Sequence, residues 1–445
     1  MTATASEDPQ VRPSDAPSST WGTDAASVPL PDDIEVVPVV RRRGPTGKGR
    51  RKDRRKVLTL QVLTTVVFIA LLAGLAWVGY QSSLRITGGG TAKVTDPNEP
   101  GYVAEVKPTP VDMVAVTNTA GELASVLIVT AGADGKGGSI SALPFQVVVP
   151  AADGTDPQWL SVAFANGGLD GLRQQLGQAM TFGFTSAEQV PATTIEALAR
   201  LAGPITITNV DNLIKSNKEG LAATDPANET VVYRAGPLTL QPDEIVDFLG
   251  FAGADDSPVN QILRQQAVWE ALLNGLKGKD LSGIEAGGSA GEGEEPGFAS
   301  VLPALLSGNV TYEPVPLEQV PVPGMYLSVY RPDPAALPAY VARTVPFPTA
   351  ASPGQRARVR LLNGTTDKNA TLLVAPKVVA AGGEISLLGN AESFEEPATQ
   401  VQYVVPEAKP AAEAIAAALG VKATEAPATA GSVDVNVIVG GDRTS

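Results

Sequence analysis

The chain of 445 residues contains no cysteine and no histidine. These absences exclude disulfides, thiol nucleophiles, Ser-His-Asp and Cys-His catalysis, and zinc sites built on sulfur or imidazole. Any metal would be a hard ion on oxygen ligands, such as Mg²⁺ or Ca²⁺. A thiol-free chain suits a secreted domain. Aromatic residues make up only 5%, so the core must come from Ala, Val, Leu and Ile. Cations are also short, 33 Lys+Arg against 47 Asp+Glu, for a net charge of −14. That balance argues against nucleic acid as a partner.

The cations that are present are unevenly placed. Residues 41–56, RRRGPTGKGRRKDRRK, hold ten of them and one Asp. Directly after comes VLTLQVLTTVVFIALLAGLAWVGY, residues 57–80, 24 residues without a charge. A hydrocarbon core about 30 Å thick needs roughly 20 helical residues, so this stretch reads as one N-terminal transmembrane helix. Trp77 and Tyr80 suit the far interface. The basic collar puts the N-terminus in the cytoplasm and the C-terminal body outside. A cleaved signal peptide would need a shorter leading region and a shorter apolar run. Residues 1–56 therefore read as a disordered cytoplasmic tail ending in the collar. The collar sets topology and meets anionic headgroups.

Residues 81–107, with GGGTAK and DPNEPG, read as a stalk. After it, VDMVAVTN, SVLIVTA and FQVVVP read as three strands. Leu169, Leu172, Leu176 and Met180 mark a helix over 168–180. Helices at 193–203, 242–251 and 260–276, with a strand at 205–210, continue an alternating α/β order. Residues 277–297 are nearly free of apolar side chains and read as a flexible loop. The expected body runs from 108 to 348, and 349–355 is a linker. Residues 356–442 read as a small α+β unit of order β-α-β-β-α-β.

A cytoplasmic tail, one span, an α/β body and a small terminal unit resemble the layout of the LytR-CpsA-Psr (LCP) family. The terminal motifs are VRLLNGT (359–365), AAEAIAAALG (411–420) and VDVNVIVGGD (433–442), which single out Asn363, Gly364, Gly440, Gly441 and Asp442. They resemble the family's LytR C-terminal domain. The resemblance implies an envelope protein with an LCP-like mixed sheet flanked by helices. The family transfers polyprenyl-pyrophosphate-linked glycopolymers to peptidoglycan.

The body resembles the family more weakly. PVDMVAV places Asp112 at the family's first-strand Asp. Phe145 and Gln146 stand where the resemblance expects a pyrophosphate-binding Arg and an Asp. Trp159 and Ser161 replace a Lys and an Asn, and FLGFA (248–252) lacks two further arginines. In PVNQILRQQ (258–266), Arg264, Gln265 and Gln266 match, while Gln261 replaces an Arg. Binding pyrophosphate needs several fixed cations, and phosphoryl transfer rests on positioning and electrostatics.

Three readings follow. The first is a non-catalytic LCP-like scaffold or regulator in cell-wall assembly, with no cofactor, whose partners are the membrane, cell-wall proteins or glycopolymers. The second is a glycopolymer–peptidoglycan phosphotransferase with a rearranged site drawn from Arg173, Arg200, Arg234 and Arg264, using Mg²⁺. The third is a polyprenyl-lipid binding protein. The ligand-binding candidates are Asp112, Arg264 and Gln265; no catalytic residue and no metal ligand is assigned.

Overall fold

The computed structural model describes residues 94–132, 134–151, 157–216, 229–253, 256–284, 298–321, 328–427 and 433–443. The tail, the apolar stretch 57–80, residues 81–93 of the stalk and residues 285–297 of the loop lie outside them. Among the described residues no helix is long and apolar enough to cross a membrane.

In chain order β1 (Val103–Glu105), which joins the terminal unit's sheet, precedes the body strands β2 (Val111–Thr117), β3 (Leu123–Ala131) and β4 (Gly138–Leu143). A ribbon of β5 (Val148–Val149) and β6 (Gln158–Trp159) leads into helix α1 (Leu160–Met180). Then come β7 (Ser186–Pro191), α2 (Ala192–Ala202), β8 (Ile205–Asn209), β9 (Leu213–Ser216), β10 (Glu229–Tyr233) and β11 (Gly236–Leu240). Helices α3 (Ile245–Leu249), α4 (Pro258–Leu276) and α5 (Phe298–Ser307) follow. Finally β12 (Val310–Tyr312), β13 (Leu317–Pro321) and β14 (Ser328–Pro332) precede α6 (Leu337–Thr344).

The central sheet is mixed, in the order β12-β4-β3-β2-β7. Strand β2 pairs antiparallel with β3 and parallel with β7. It is buried along its whole length, as a strand covered on both faces must be. Alternation sends Val111, Met113 and Ala115 to one core, with Leu172, Leu176 and Met180 of α1. Val114 and Val116 go to a second core beneath α2, α3, α4 and α5.

The terminal unit contains β15 (Ala357–Asn363), α7 (Ala370–Ala380), β16 (Gly383–Asn390), β17 (Gln400–Tyr403), α8 (Lys409–Leu419), β18 (Ala423–Glu425) and β19 (Val435–Val439). Its sheet runs β1-β16-β15-β19-β17-β18.

Four sequence expectations change. The stalk ends early, because Val103–Glu105 pairs with the β16 edge. Gly389 permits this approach, since a Cβ there would lie 2.0 Å from the Tyr102 carbonyl oxygen. The third strand is GSISAL (138–143), not FQVVVP, of which only Val148 and Val149 pair with β6. Small, polar residues hid that strand from a search for β-branched runs. Helix α1 starts at Leu160, eight residues early, and kinks at Gly168, whose φ of 61° breaks the helical path. The terminal unit gains the short strand β18.

The segment read as a linker is held on both sides. Gly183 N–H donates to the Thr349 carbonyl at 2.8 Å. Ala350 N–H donates to Glu384 at 2.8 Å, and Gln355 donates to the Gln178 carbonyl at 3.0 Å. Arg356 is buried, and its guanidinium donates to the carbonyls of Thr181, Val379 and Gly383. Two of these oxygens lie at helix C-termini, where a cation is favoured. Burial lowers its pKa to about 10 while the Glu384 charge acts to raise it, so it stays charged at neutral pH. The core on this face of the body sheet continues into Val374, Val378 and Ile415 of the terminal unit.

Candidate functional site

The buried face of α4 carries Gln261, Arg264, Gln265, Val268, Trp269 and Leu272. This is the spacing of a single helical stripe. Ser257 caps the helix by accepting from Asn260 N–H at 3.2 Å, with Pro258 at the first position. The cap fixes Asp256, one residue earlier, against the first turns.

Arg264 is 2% exposed. Its two terminal nitrogens donate to the two oxygens of Asp256, at 2.8 and 2.5 Å. The side chains of this ion pair are 2% and 3% exposed. Asp211 lies 3.5 Å from the same guanidinium and accepts from Asn260 at 2.9 Å. Gln261 donates to Asp256 at 3.1 Å and to Gln146 at 2.7 Å. So the two positions where the resemblance expects an Arg and an Asp, 261 and 146, are joined by a neutral amide pair. The Gln261 Oε1 and Arg264 Nε atoms are buried without a partner among the described residues.

Gln265 serves packing of a polar kind. It accepts from Ser125 of β3 at 3.0 Å and donates to the Leu249 carbonyl at 3.0 Å. It therefore ties the sheet to the end of α3.

Asp112 sits elsewhere on the sheet. It pairs with Val129, whereas Ser125 pairs with Val116. Four residues along a strand is about 13 Å. The structure brings Arg264 and Gln265 together and leaves Asp112 away from them. Asp112 is buried and accepts a short hydrogen bond from the Ser186 hydroxyl. Glu188, two residues along β7, is buried on the same face and accepts from Phe298 N–H at 2.6 Å. Burial pushes its pKa up to about 7; the Phe298 bond opposes this and the Asp112 charge adds to it. Glu188 escaped the sequence reading, where only its alternation with Ser186 and Val190 marked it as inward-facing. Among the described residues no group of three acidic side chains gathers to hold a metal. Ser186 and Phe298 each take one oxygen of a carboxylate in this row, and Glu188 Oε1 is buried with no hydrogen-bond partner among the described residues.

Among the other arginines, Arg173 donates to the Phe184 and Thr185 carbonyls before β7. Arg200 pairs with Glu196 on its own helix. Arg234 is exposed between β10 and β11.

The terminal motif residues form a clasp. Asn363 accepts from Thr365 N–H at 3.0 Å and donates to the Asp367 carbonyl at 2.9 Å. Gly364 N–H donates to the Val439 carbonyl at 2.9 Å. Asp442 accepts from Thr399 N–H at 2.8 Å and its hydroxyl at 2.7 Å. Gly440 passes so close to Ala398 that a Cβ would lie 2.2 Å from its carbonyl carbon. Gly441 N–H donates to the Glu396 carbonyl at 2.8 Å. Gly364, Gly440, Gly441 and Asp442 hold the 396–399 loop at the ends of β15 and β19, while Asn363 closes the 365–367 turn.

Residues 356–442 match the LytR_C family, described as LytR cell envelope-related transcriptional attenuator. The clasp is thus built from the motif residues of this LytR_C unit. No curated protein matches the chain. Among solved structures, a protein from Streptococcus agalactiae is 16% identical, with a TM-score of 0.41, covering 53% of this chain and 86% of that one. A putative transcriptional regulator, ywtF from Bacillus subtilis, is 13% identical, with a TM-score of 0.39 and coverages of 57% and 92%. The LytR-CPS2A-psr family protein YwtF (TagT) with bound octaprenyl pyrophosphate lipid is 13% identical, with a TM-score of 0.35 and coverages of 56% and 90%. At such values they carry no residue role over to this chain.

Proposed function

We propose that this chain is a single-pass membrane protein of the cell envelope, with an extracytoplasmic body that is a non-catalytic LCP-like scaffold or regulator of cell-wall assembly. In this reading residues 57–80 span the membrane, 108–348 form the degenerate body, and the LytR_C unit completes the outer part. The observation that carries it is the sign of the charge around Arg264. The side chains hydrogen-bonded into that cluster hold one guanidinium and two carboxylates, Asp211 and Asp256. A pyrophosphate brought there meets a net negative site whose only fork is already filled. In a buried setting such repulsion is weakly screened. The core between the sheet and helices α2 to α5 is filled by Trp269, Phe298, Leu272 and Leu273, which fits a packed interior better than the lipid-binding reading.

The test is a transfer assay on the full chain in lipid vesicles, supplied with a polyprenyl-pyrophosphate-linked glycopolymer, peptidoglycan and Mg²⁺. No transfer is expected. Turnover above a protein-free control refutes the non-catalytic reading and favours the phosphotransferase.

A further inference from the structure

Helix α7 has a face that no described residue covers. It buries Ala370, Thr371, Val374, Val378 and Val379. On its other side Leu372 is 64% exposed and Leu373 is 52% exposed, beside exposed Pro376. Leu372, Leu373 and Pro376 together make an exposed apolar strip on this side of the helix. Exposed Lys368 lies one turn before Leu372, and exposed Lys377 one turn after Leu373. An apolar strip flanked by lysines is the pattern of a helix resting on an anionic bilayer, with the ammonium groups at headgroup level.

The course of the chain supplies the occupant. Lys368 Nζ donates to Asn98 Oδ1 at 2.8 Å. Asn390 Nδ2 donates to the carbonyls of Pro97 and Glu99 at 2.9 and 2.8 Å. The first described residues therefore run along the LytR_C unit and pass the N-terminal end of α7. Before them, residues 81–93 separate residue 94 from the apolar stretch that ends at Tyr80. Thirteen residues reach at most about 45 Å. If residues 57–80 anchor the chain, this end of the terminal unit stays within that reach of the bilayer.

We propose that the Leu372–Leu373–Pro376 face of α7 docks on the anionic membrane to which the chain is tethered, so that the LytR_C unit is the membrane-proximal part of the folded region. This rests on the anchoring reading above. Each leucine adds apolar area to the contact, and the two lysines make it sensitive to lipid charge.

Because the chain has no cysteine, single labels can be placed without background. The full chain carrying Leu373→Cys or, as a control, Glu270→Cys on α4 is labelled with an environment-sensitive fluorophore. It is then reconstituted into vesicles of phosphatidylcholine with about a third phosphatidylglycerol. Flotation of the vesicles reads anchoring separately. The proposal predicts blue-shifted emission at 373, at least roughly halved by a nitroxide lipid, and little change at 270. Adding Lys368→Gln and Lys377→Gln should weaken the quenching. A chain that floats but shows no lipid quenching at 373 overturns the docking and leaves the anchor standing. Quenching at 373 by a spin label on a second copy, but not by lipid, also overturns it, in favour of self-association. A chain that does not float overturns the anchor and the docking together.

Discussion

Asp256 fills the fork of Arg264: both carboxylate oxygens meet both terminal guanidinium nitrogens, at 2.8 and 2.5 Å, in a pair from which water is excluded. A two-point contact of this kind is among the stronger hydrogen-bonded pairs in proteins. It also answers what Arg264 does without any ligand.

Breaking the pair from one side should be costly. Asp256→Ala leaves a buried guanidinium with Asp211 at 3.5 Å and the Phe251 carbonyl at 3.4 Å as its described partners, and should lower stability by about 3–5 kcal/mol. The double change Arg264→Met, Asp256→Leu removes both charges and should recover most of that loss. Denaturant midpoints of the two variants and the parent decide it. Equal losses in single and double variants would refute an internal pair.

Glu188 should make stability depend on pH. Its folded pKa of about 7 lies above the ordinary value of 4.5, so the folded chain holds this proton more tightly than the unfolded chain. Below pH 4.5 both states are protonated and the group is neutral in effect. Between 4.5 and about 7 the stability difference to Glu188→Gln should widen, and above 7 it should level off at about 1–3 kcal/mol in favour of the variant. Thermal melts of both proteins from pH 4 to 8 check the sign and the window.

Arg356 should couple the body to the LytR_C unit. Arg356→Ala removes donors from the carbonyls of Thr181, Val379 and Gly383 and should cost about 2–4 kcal/mol. Lysine at 356 should not restore it, because a single ammonium cannot reach carbonyls on three segments in one plane. Scanning calorimetry should show one transition in the parent and a split or broadened one in the variant.

Gly389→Val should release β1. The added side chain has no room against Tyr102, so the pairing of Val103–Glu105 with β16 must open. Hydrogen exchange at residues 103–105 should accelerate, while amides of β15 stay protected. Unchanged exchange at 103–105 would contradict the proposed need for glycine.

Much of the architecture was legible where side chains are periodic. Ile262, Trp269, Leu272 and Leu276 marked α4, and VDMVAV marked β2. What stayed hidden has physical causes. GSISAL has no branched run to betray a strand, yet it lies inside the body sheet between β12 and β3. Val103–Glu105 is too short to carry a pattern and owes its pairing to Gly389, 286 positions later in the chain. At the site, the missing arginines were visible, but the partner of the one that matches was not. Asp256 precedes a helix in a loop, and only the fold brings it onto Arg264. Likewise Asp112 and Gln265 are each buried, but the strand register keeps them apart.

The central claim is that the body has no working pyrophosphate site. It is tested most directly by calorimetry of the full chain in detergent micelles with a polyprenyl pyrophosphate, with and without Mg²⁺. The account predicts no saturable heat beyond that of empty micelles in either case. Micromolar binding that is strengthened by Mg²⁺ would contradict it.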